Sequence, residues 1–286
     1  MAKLKVGLQL YSVRDFMEKD FFDTLEKVKA MGYDAVEFAC GFFGHTGKEV
    51  KAKCDELGLE PLSAHVDRKG LLKDGTIANY ADAGCKYIAL PWSDWKVDLA
   101  GAEGYETFKK DIETISIACK KYGITLLYHN HDFEFEKVDG KYKLDHLYDD
   151  IPSDILQTEI DTCWARVGGE NPAEYILKYS GRAPIVHFKD YVGKRSSGMY
   201  ELIGGGKVHK IEGVPTTPFE FRPVGYGVQN VKELLAAAEK AGAEAVIVEQ
   251  DKPSMDRTSL ECAEMSVNYI KSLYSKESVA NGRKHS

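Results

Sequence analysis

The chain has 286 residues, 43% of them hydrophobic and 29% charged, enough apolar residues for a large core. Its formal net charge of −7 excludes the basic face that non-specific nucleic-acid binding relies on, and no run of about 18 apolar residues is present to span a membrane. Six scattered cysteines (Cys40, Cys54, Cys85, Cys119, Cys163 and Cys262) form no C-x-x-C pair and read as reduced thiols. The N-terminal apolar stretch is interrupted too early for a signal peptide, so the expected location is cytoplasmic.

Along the chain, short β-rich runs alternate with amphipathic segments. The runs are KVGLQLY (5–11), DAVEF (34–38), PLSAHV (61–66), YIALPW (87–92), ITLLYHNH (124–131), ILQTEID (155–161), PIVHFKD (184–190) and EAVIVEQ (244–250). Most are separated by helical patterns. FFDTLEKVKAMG stops at Gly32, KEVKAKCDELG at Gly58 and YETFKKDIETISIACKKYG at Gly123. LDHLYDD and PAEYILKYS are shorter; VKELLAAAEKAG and LECAEMSVNYIKSLY complete the series. Eight runs with helices between them predict a single α/β (β/α)8 TIM barrel over residues 1–275, followed by a polar tail at 276–286. A doubly wound sheet would carry a glycine-rich turn after its first strand, and LYSVRDF has none. The triple glycine at 204–206 follows no strand-like run and reads as a flexible loop. Residues 191–228 make one abnormally long connection after the seventh strand, read as a lid over one barrel mouth.

Alternation fixes the faces, because the outward set must be apolar under covering helices. On this rule Leu62, Ala64 and Val66 face out on the third strand. The inward residues near the C-terminal strand ends are then Gln9, Glu37, His65, His129 with His131, Asp161, His187 with Lys189, and Glu249. A structural salt-bridge network is the plain alternative for any one of them. So many ionisable groups are expensive to bury for structure alone, and active sites of this fold lie at that end. Strands five to eight end in His129, Asp161, His187 and Glu249, a mixed imidazole–carboxylate set suited to Mn2+, Zn2+, Co2+ or Fe2+.

GLQLYSVR, YHNHDFEF, EIDTCW, IVHFKD with the later PVGYG, and VIVEQD resemble the sugar phosphate isomerase/epimerase group of the xylose isomerase-like TIM barrel superfamily over about residues 5–272. The resemblance implies one divalent ion on Glu, Asp, His and Glu of strands five to eight. Asp161, His187 and Glu249 match that pattern; His129 stands where the group carries a glutamate. The implied chemistry is isomerisation or epimerisation of a sugar, keto-sugar or related polyol by proton abstraction next to a carbonyl. Glu249, His131, His65 and Lys189 are the catalytic candidates. Gln9, Glu37, Trp92, Trp164 and Arg222 are candidates for substrate binding, the tryptophans as walls of a sugar pocket. His131 fits a role beside the ligands better than ligation, and Glu134 is a further carboxylate near the site. A lyase acting on a keto-inositol or 3-keto-glycoside starts with the same proton abstraction, and a non-catalytic sugar-binding barrel is the third reading. The expected partner is a small-molecule carbohydrate, without nucleic acid or membrane; pairing into a homo-oligomer is left open.

Overall fold

Eight parallel strands close on one another in the computed structural model, which describes residues 4–196, 199 and 218–282. They are β1 (Lys5–Gln9), β2 (Ala35–Phe38), β3 (Glu60–His65) and β4 (Tyr87–Leu90), then β5 (Thr125–His129), β6 (Gln157–Asp161), β7 (Ile185–Phe188) and β8 (Ala245–Val248). Each pairs with the next in sequence, and β8 returns to β1 through Val6↔Val246 and Leu8↔Val248. The chain is therefore the (β/α)8 TIM barrel that its periodicity predicts.

Helices cover the strands. Those of at least seven residues are α1 (Phe21–Met31), α2 (Gly47–Leu57), α3 (Thr76–Asp82), α4 (Tyr105–Lys120), α5 (Lys143–Asp150), α6 (Pro172–Lys178), α7 (Val231–Ala241) and α8 (Ser259–Gly282). Their starts are written in the sequence. Asp20 caps α1 by accepting from Asp23 N, and Thr46 with Glu49 forms a reciprocal capping box on α2. Helix α4 buries Phe108, Ile112, Ile115 and Cys119 on one face, the three-to-four spacing that turns a helix onto a sheet. Two elements went unread between β3 and β4: a turn of helix at Arg68–Leu71, and α3. Helix α8 continues to Gly282, into the stretch read as a tail.

The outward strand residues, among them Val36, Phe38, Tyr128, Ile160, Val186 and Val248, join the helices in one apolar layer. A second, smaller cluster fills the bore: Ala35, Leu62, Ala89, Leu127, Ile185, Ala245 and Ile247. Gly7 also faces the bore, where a Cβ would stand 2.4 Å from Ile247 Cδ1 and 3.3 Å from Ala35 O, so a side chain there would have to displace the end of Ile247. Leu62 is a correction to the sequence reading. It packs inside the bore because β3 carries one extra residue against β2: Val36 pairs with Pro61, but Glu37 pairs with Ser63. Strict alternation cannot see such a bulge.

Below the apolar filling, Lys5, Glu60, Lys86 and Glu244 form a ring of ion pairs at 2.7–2.9 Å. Their side chains are 25–50% exposed, so each pair contributes little to stability. All six cysteines are free thiols.

The segment read as a lid begins and ends in an antiparallel hairpin, Asp190–Gly193 against Phe219–Arg222. Asp190 anchors it. Its carboxylate accepts backbone N–H bonds from Tyr191, Gly225, Gly227 and Gln229 at 2.9–3.0 Å, which gives the PVGYG motif a structural task. Residues 197, 198 and 200–217, including the triple glycine, lie outside the described residues. Among the described residues, no helix is long and apolar enough to cross a membrane.

Candidate metal and active site

The polar residues at the C-terminal strand ends meet above the apolar filling and are almost wholly buried. Gln9, Glu37, Glu159, Asp161 and His187 are 0% exposed, His129 and Lys189 2%, Glu249 5% and His131 7%. They form two tiers.

In the upper tier, single ligand atoms of His129, Asp161, His187 and Glu249 all lie within 4.8 Å of one another. His129 Nε2 is 3.9 Å from Asp161 Oδ2, and His187 Nδ1 is 3.2 Å from Glu249 Oε2. Asp161 is positioned from both sides. Its Oδ1 accepts from Trp164 N at 2.8 Å, capping the short helix that follows β6, and its own N–H donates to Asn130 Oδ1 at 3.1 Å. Asp161 Oδ2 is buried without a hydrogen-bond partner. A buried carboxylate oxygen left unpaired, among two imidazoles and a second carboxylate, fits a divalent transition-metal ion. The group can hold such an ion, and the four residues are those singled out from the sequence.

In the lower tier, Glu37 sits under His187. It accepts from Gln9 Nε2 at 2.7 Å and Ser63 Oγ at 2.6 Å, and meets His187 Nε2 at 2.7 Å and His65 Nε2 at 3.0 Å. Glu159 lies under His129, with Oε2 2.6 Å from His65 Nε2 and 3.3 Å from His129 Nδ1. His65, His129, Glu159 and His187 make a second set of ligand atoms within 4.8 Å.

The electrostatics follow this layering. Burial alone would raise the Glu37 carboxyl, but the His65 and His187 imidazoles outweigh it and hold Glu37 well below the usual range. Burial opposes charge on His65, yet Glu37 and Glu159 push it up to about 10. His187 is raised well above the ordinary imidazole value by the same two carboxylates, again against burial. His129 moves the other way: burial, then the neighbouring His187 and His65, keep it neutral. His131 falls to about 3 through burial and the charge on Lys189. Asp161 rises to about 7 through burial, only partly offset by Lys189.

Lys189 lies 2.5 Å from Asp251 Oδ2, 3.0 Å from Glu249 Oε2 and 4.0 Å from Asp161 Oδ2. Its ammonium also faces the rings of Trp164 at 5.2 Å and Phe221 at 5.0 Å. Burial opposes its charge, but Asp251 and Glu249 outweigh that and raise its pKa. His131 stacks on Phe133 at 5.2 Å and leans on Trp164 at 5.4 Å, with its Nδ1 unpartnered.

The remaining sequence candidates separate. Gln9 is occupied at both ends, by Glu37 and by Tyr11 N. Trp164 is 0% exposed, whereas Trp92 is 48% exposed and meets Phe133 edge-on at 6.4 Å. Arg222 sits in the hairpin, bonded to Glu220 at 2.8 Å. Glu134 is not in the ligand group. It lies behind the strand, taking Tyr128 Oη at 2.8 Å and His131 N at 2.8 Å. Four contributors were given no role from the sequence: Glu159, Asn130, Asp190 and Asp251. Glu159 had a signal, since it precedes Asp161 by two and shares its face.

Comparison with known proteins agrees with this architecture. A model of the family described as xylose isomerase-like TIM barrel matches residues 25–273. Inosose dehydratase of Geobacillus kaustophilus is 25% identical over 190 residues, covering 58% of this chain and 60% of that protein. The chain thus matches about three fifths of that curated relative's length. A sugar phosphate isomerase/epimerase of Parabacteroides distasonis superposes with a TM-score of 0.73 at 21% identity, covering 94% of each chain. An IOLI protein solved with a bound zinc atom gives 0.65 at 16% identity, covering 96% of this chain and 99% of that one. At these identities the structural likeness establishes the fold.

Proposed function

The chain belongs to the xylose isomerase-like TIM barrel family, and on that footing we propose that it is a metal-dependent isomerase or epimerase of a sugar, keto-sugar or related polyol. The observation that carries the reading is the buried upper tier, four ligand atoms around an unpartnered Asp161 oxygen, with His131 and Lys189 beside it. His129, Asp161, His187 and Glu249 would hold a divalent ion, which would supply Lewis acidity toward the substrate. Mn2+, Zn2+ and Co2+ suit this donor set.

The chain's own groups do the rest. Glu249 is held ionised by Lys189 and His187 against burial, so it is free to accept the proton next to the carbonyl, as a weak base while Lys189 and His187 stay paired to it. His131, neutral and with a free Nδ1, exchanges a hydrogen bond or proton with a substrate hydroxyl. The Lys189 ammonium stabilises negative charge that develops on the substrate. The surrounding rings exclude water. His65 is committed to Glu37 and Glu159, so its work is to support other groups.

A dehydratase is the second reading, favoured by the match to inosose dehydratase. It shares the proton abstraction and then loses a β-hydroxyl. Incubation of the Mn2+-loaded protein with ketoses and keto-inositols in D2O separates the readings. Deuterium gained without loss of water supports the isomerase or epimerase; loss of 18 mass units identifies the dehydratase. Neither change, with sugar binding intact, leaves a binding barrel. Elemental analysis of the protein beside His129→Ala tests the ligand set. One ion per chain is expected in the parent. The variant's affinity should fall by more than the roughly 10–100-fold typical of losing an outer partner.

A further inference from the structure

Each of the two ligand imidazoles spans both tiers, and they do so with opposite ring nitrogens. His187 points Nδ1 up toward Glu249 at 3.2 Å and Nε2 down to Glu37 at 2.7 Å. His129 points Nε2 up toward Asp161 at 3.9 Å and Nδ1 down toward Glu159 at 3.3 Å, where Nδ1 makes no hydrogen bond. We propose that Glu37 is a positioning residue, which locks His187 so that it offers Nδ1 to an ion. The proposal rests on the metal-centred reading above.

The physical argument begins with the imidazole. A neutral ring carries one N–H and one lone pair. A carboxylate beneath the ring claims the N–H, and the lone pair is left on the opposite nitrogen, facing the ion. Such support works only if the carboxylate itself cannot move. Glu37 is held by Gln9 and Ser63, from β1 and β3, and has no exposure to solvent. His65 ties the two carboxylates together, 2.6 Å from Glu159 and 3.0 Å from Glu37. The support therefore runs through β1, β2 and β3, while the ligands come from β5 to β8.

The lower set of His65, His129, Glu159 and His187 could be read as an ion site in its own right. It shares both imidazoles with the upper set. Filling both sets would make each ring a bridge deprotonated at both nitrogens, with no N–H left for either carboxylate. Glu37, bonded by two neutral donors as well, is better satisfied as an acceptor under His187 than as the neighbour of a second ion.

The test combines histidine 15N NMR with calorimetric titration of Zn2+. The variants are Glu37→Gln and, as a control, Asp145→Asn. Asp145 is a buried carboxylate on α5, held by Tyr175, Lys178 and Tyr179 rather than by any site residue. In the zinc-loaded parent, His187 should bind through Nδ1 and carry its proton on Nε2. Glu37→Gln should bind Zn2+ roughly 10–100-fold more weakly, and the control should bind like the parent. Binding through Nε2 of His187, unchanged affinity in Glu37→Gln, an equal loss in the control, or two zinc ions per chain would each overturn the proposal. If the parent binds no ion, the metal-dependent function fails, and the metal-free His187 ring decides the positioning. A His187 Nε2 signal that shifts in Glu37→Gln supports it; a ring signal unchanged by Glu37→Gln overturns it.

Discussion

Lys189 Nζ and Glu249 Oε2 meet at 3.0 Å, with neither side chain more than 6% exposed. The ammonium also serves Asp251, and the two carboxylates have unequal fates. Glu249 is held well down by Lys189 and His187 despite burial, whereas burial leaves Asp251 at about 6. Replacing the lysine with Lys189→Met strands both carboxylates. The metal-free variant should lose about 3–5 kcal/mol of stability. Added Mn2+ should restore part of that loss, because a cation then returns to the same carboxylates. Thermal unfolding with and without Mn2+ reads both effects. A variant that melts like the parent would show that the pairing carries no stability.

Glu134 predicts a pH dependence of opposite sign to that of an ordinary paired carboxylate. Burial raises it from 4.5 to about 8, so the folded chain holds this proton more tightly than the unfolded chain. The associated stability is complete below about pH 4.5 and is lost as pH climbs to about 8. Glu134→Gln keeps a neutral side chain throughout. Its melting temperature should gain on the parent between pH 5 and pH 8, by about 1–3 kcal/mol in free energy, and then level off. A difference that does not change with pH would refute the raised carboxyl.

Gly227 is required by distance rather than by backbone angle. A Cβ there would stand 2.2 Å from Asp190 Oδ1 and 2.5 Å from Tyr191 O. Gly227→Ala must push the turn off the Asp190 carboxylate, and Asp190→Asn weakens the same four N–H bonds. Each change should cost about 1.5–3 kcal/mol, with hydrogen exchange rising first at Tyr191, Gly225 and Gln229. Wild-type protection at those amides in both variants would mean that the carboxylate does not hold the hairpin.

Trp92 and Trp164 should behave as opposites. Trp92→Ala removes an exposed ring and should change stability by less than about 0.5 kcal/mol, while raising KM more than it lowers kcat if the ring walls the sugar pocket. Trp164→Ala removes a ring in contact with His131, Phe219 and Phe221, and should cost about 3–5 kcal/mol. An unchanged KM in Trp92→Ala would take that ring out of substrate recognition.

The barrel was legible because its outward faces obey one rule, apolar under helices, repeated on every strand. The upper tier followed from the same rule. What alternation missed is local or indirect. Leu62 turned inward through a one-residue bulge, which leaves no mark in hydrophobic pattern. Asp190 and Gly227 meet across 37 positions of sequence, so neither announces the other. Glu37 and His65 were placed correctly on the inner face, but the sequence cannot say that their bonding positions are already taken by Gln9, Ser63, Glu159 and His187. Glu134, only three residues beyond His131, lies behind the strand because its carboxylate folds back onto Tyr128 and the His131 N–H.

The apolar filling of the bore has a consequence for traffic. Leu62, Leu127, Ile185 and Ile247 are each 0% exposed and close the barrel beneath the polar tiers. Among the described residues, this apolar plug separates the polar tiers from the charged ring on the underside. Altering the Lys5, Glu60, Lys86 and Glu244 ring should therefore leave the dissociation rate of anything held above the plug unchanged.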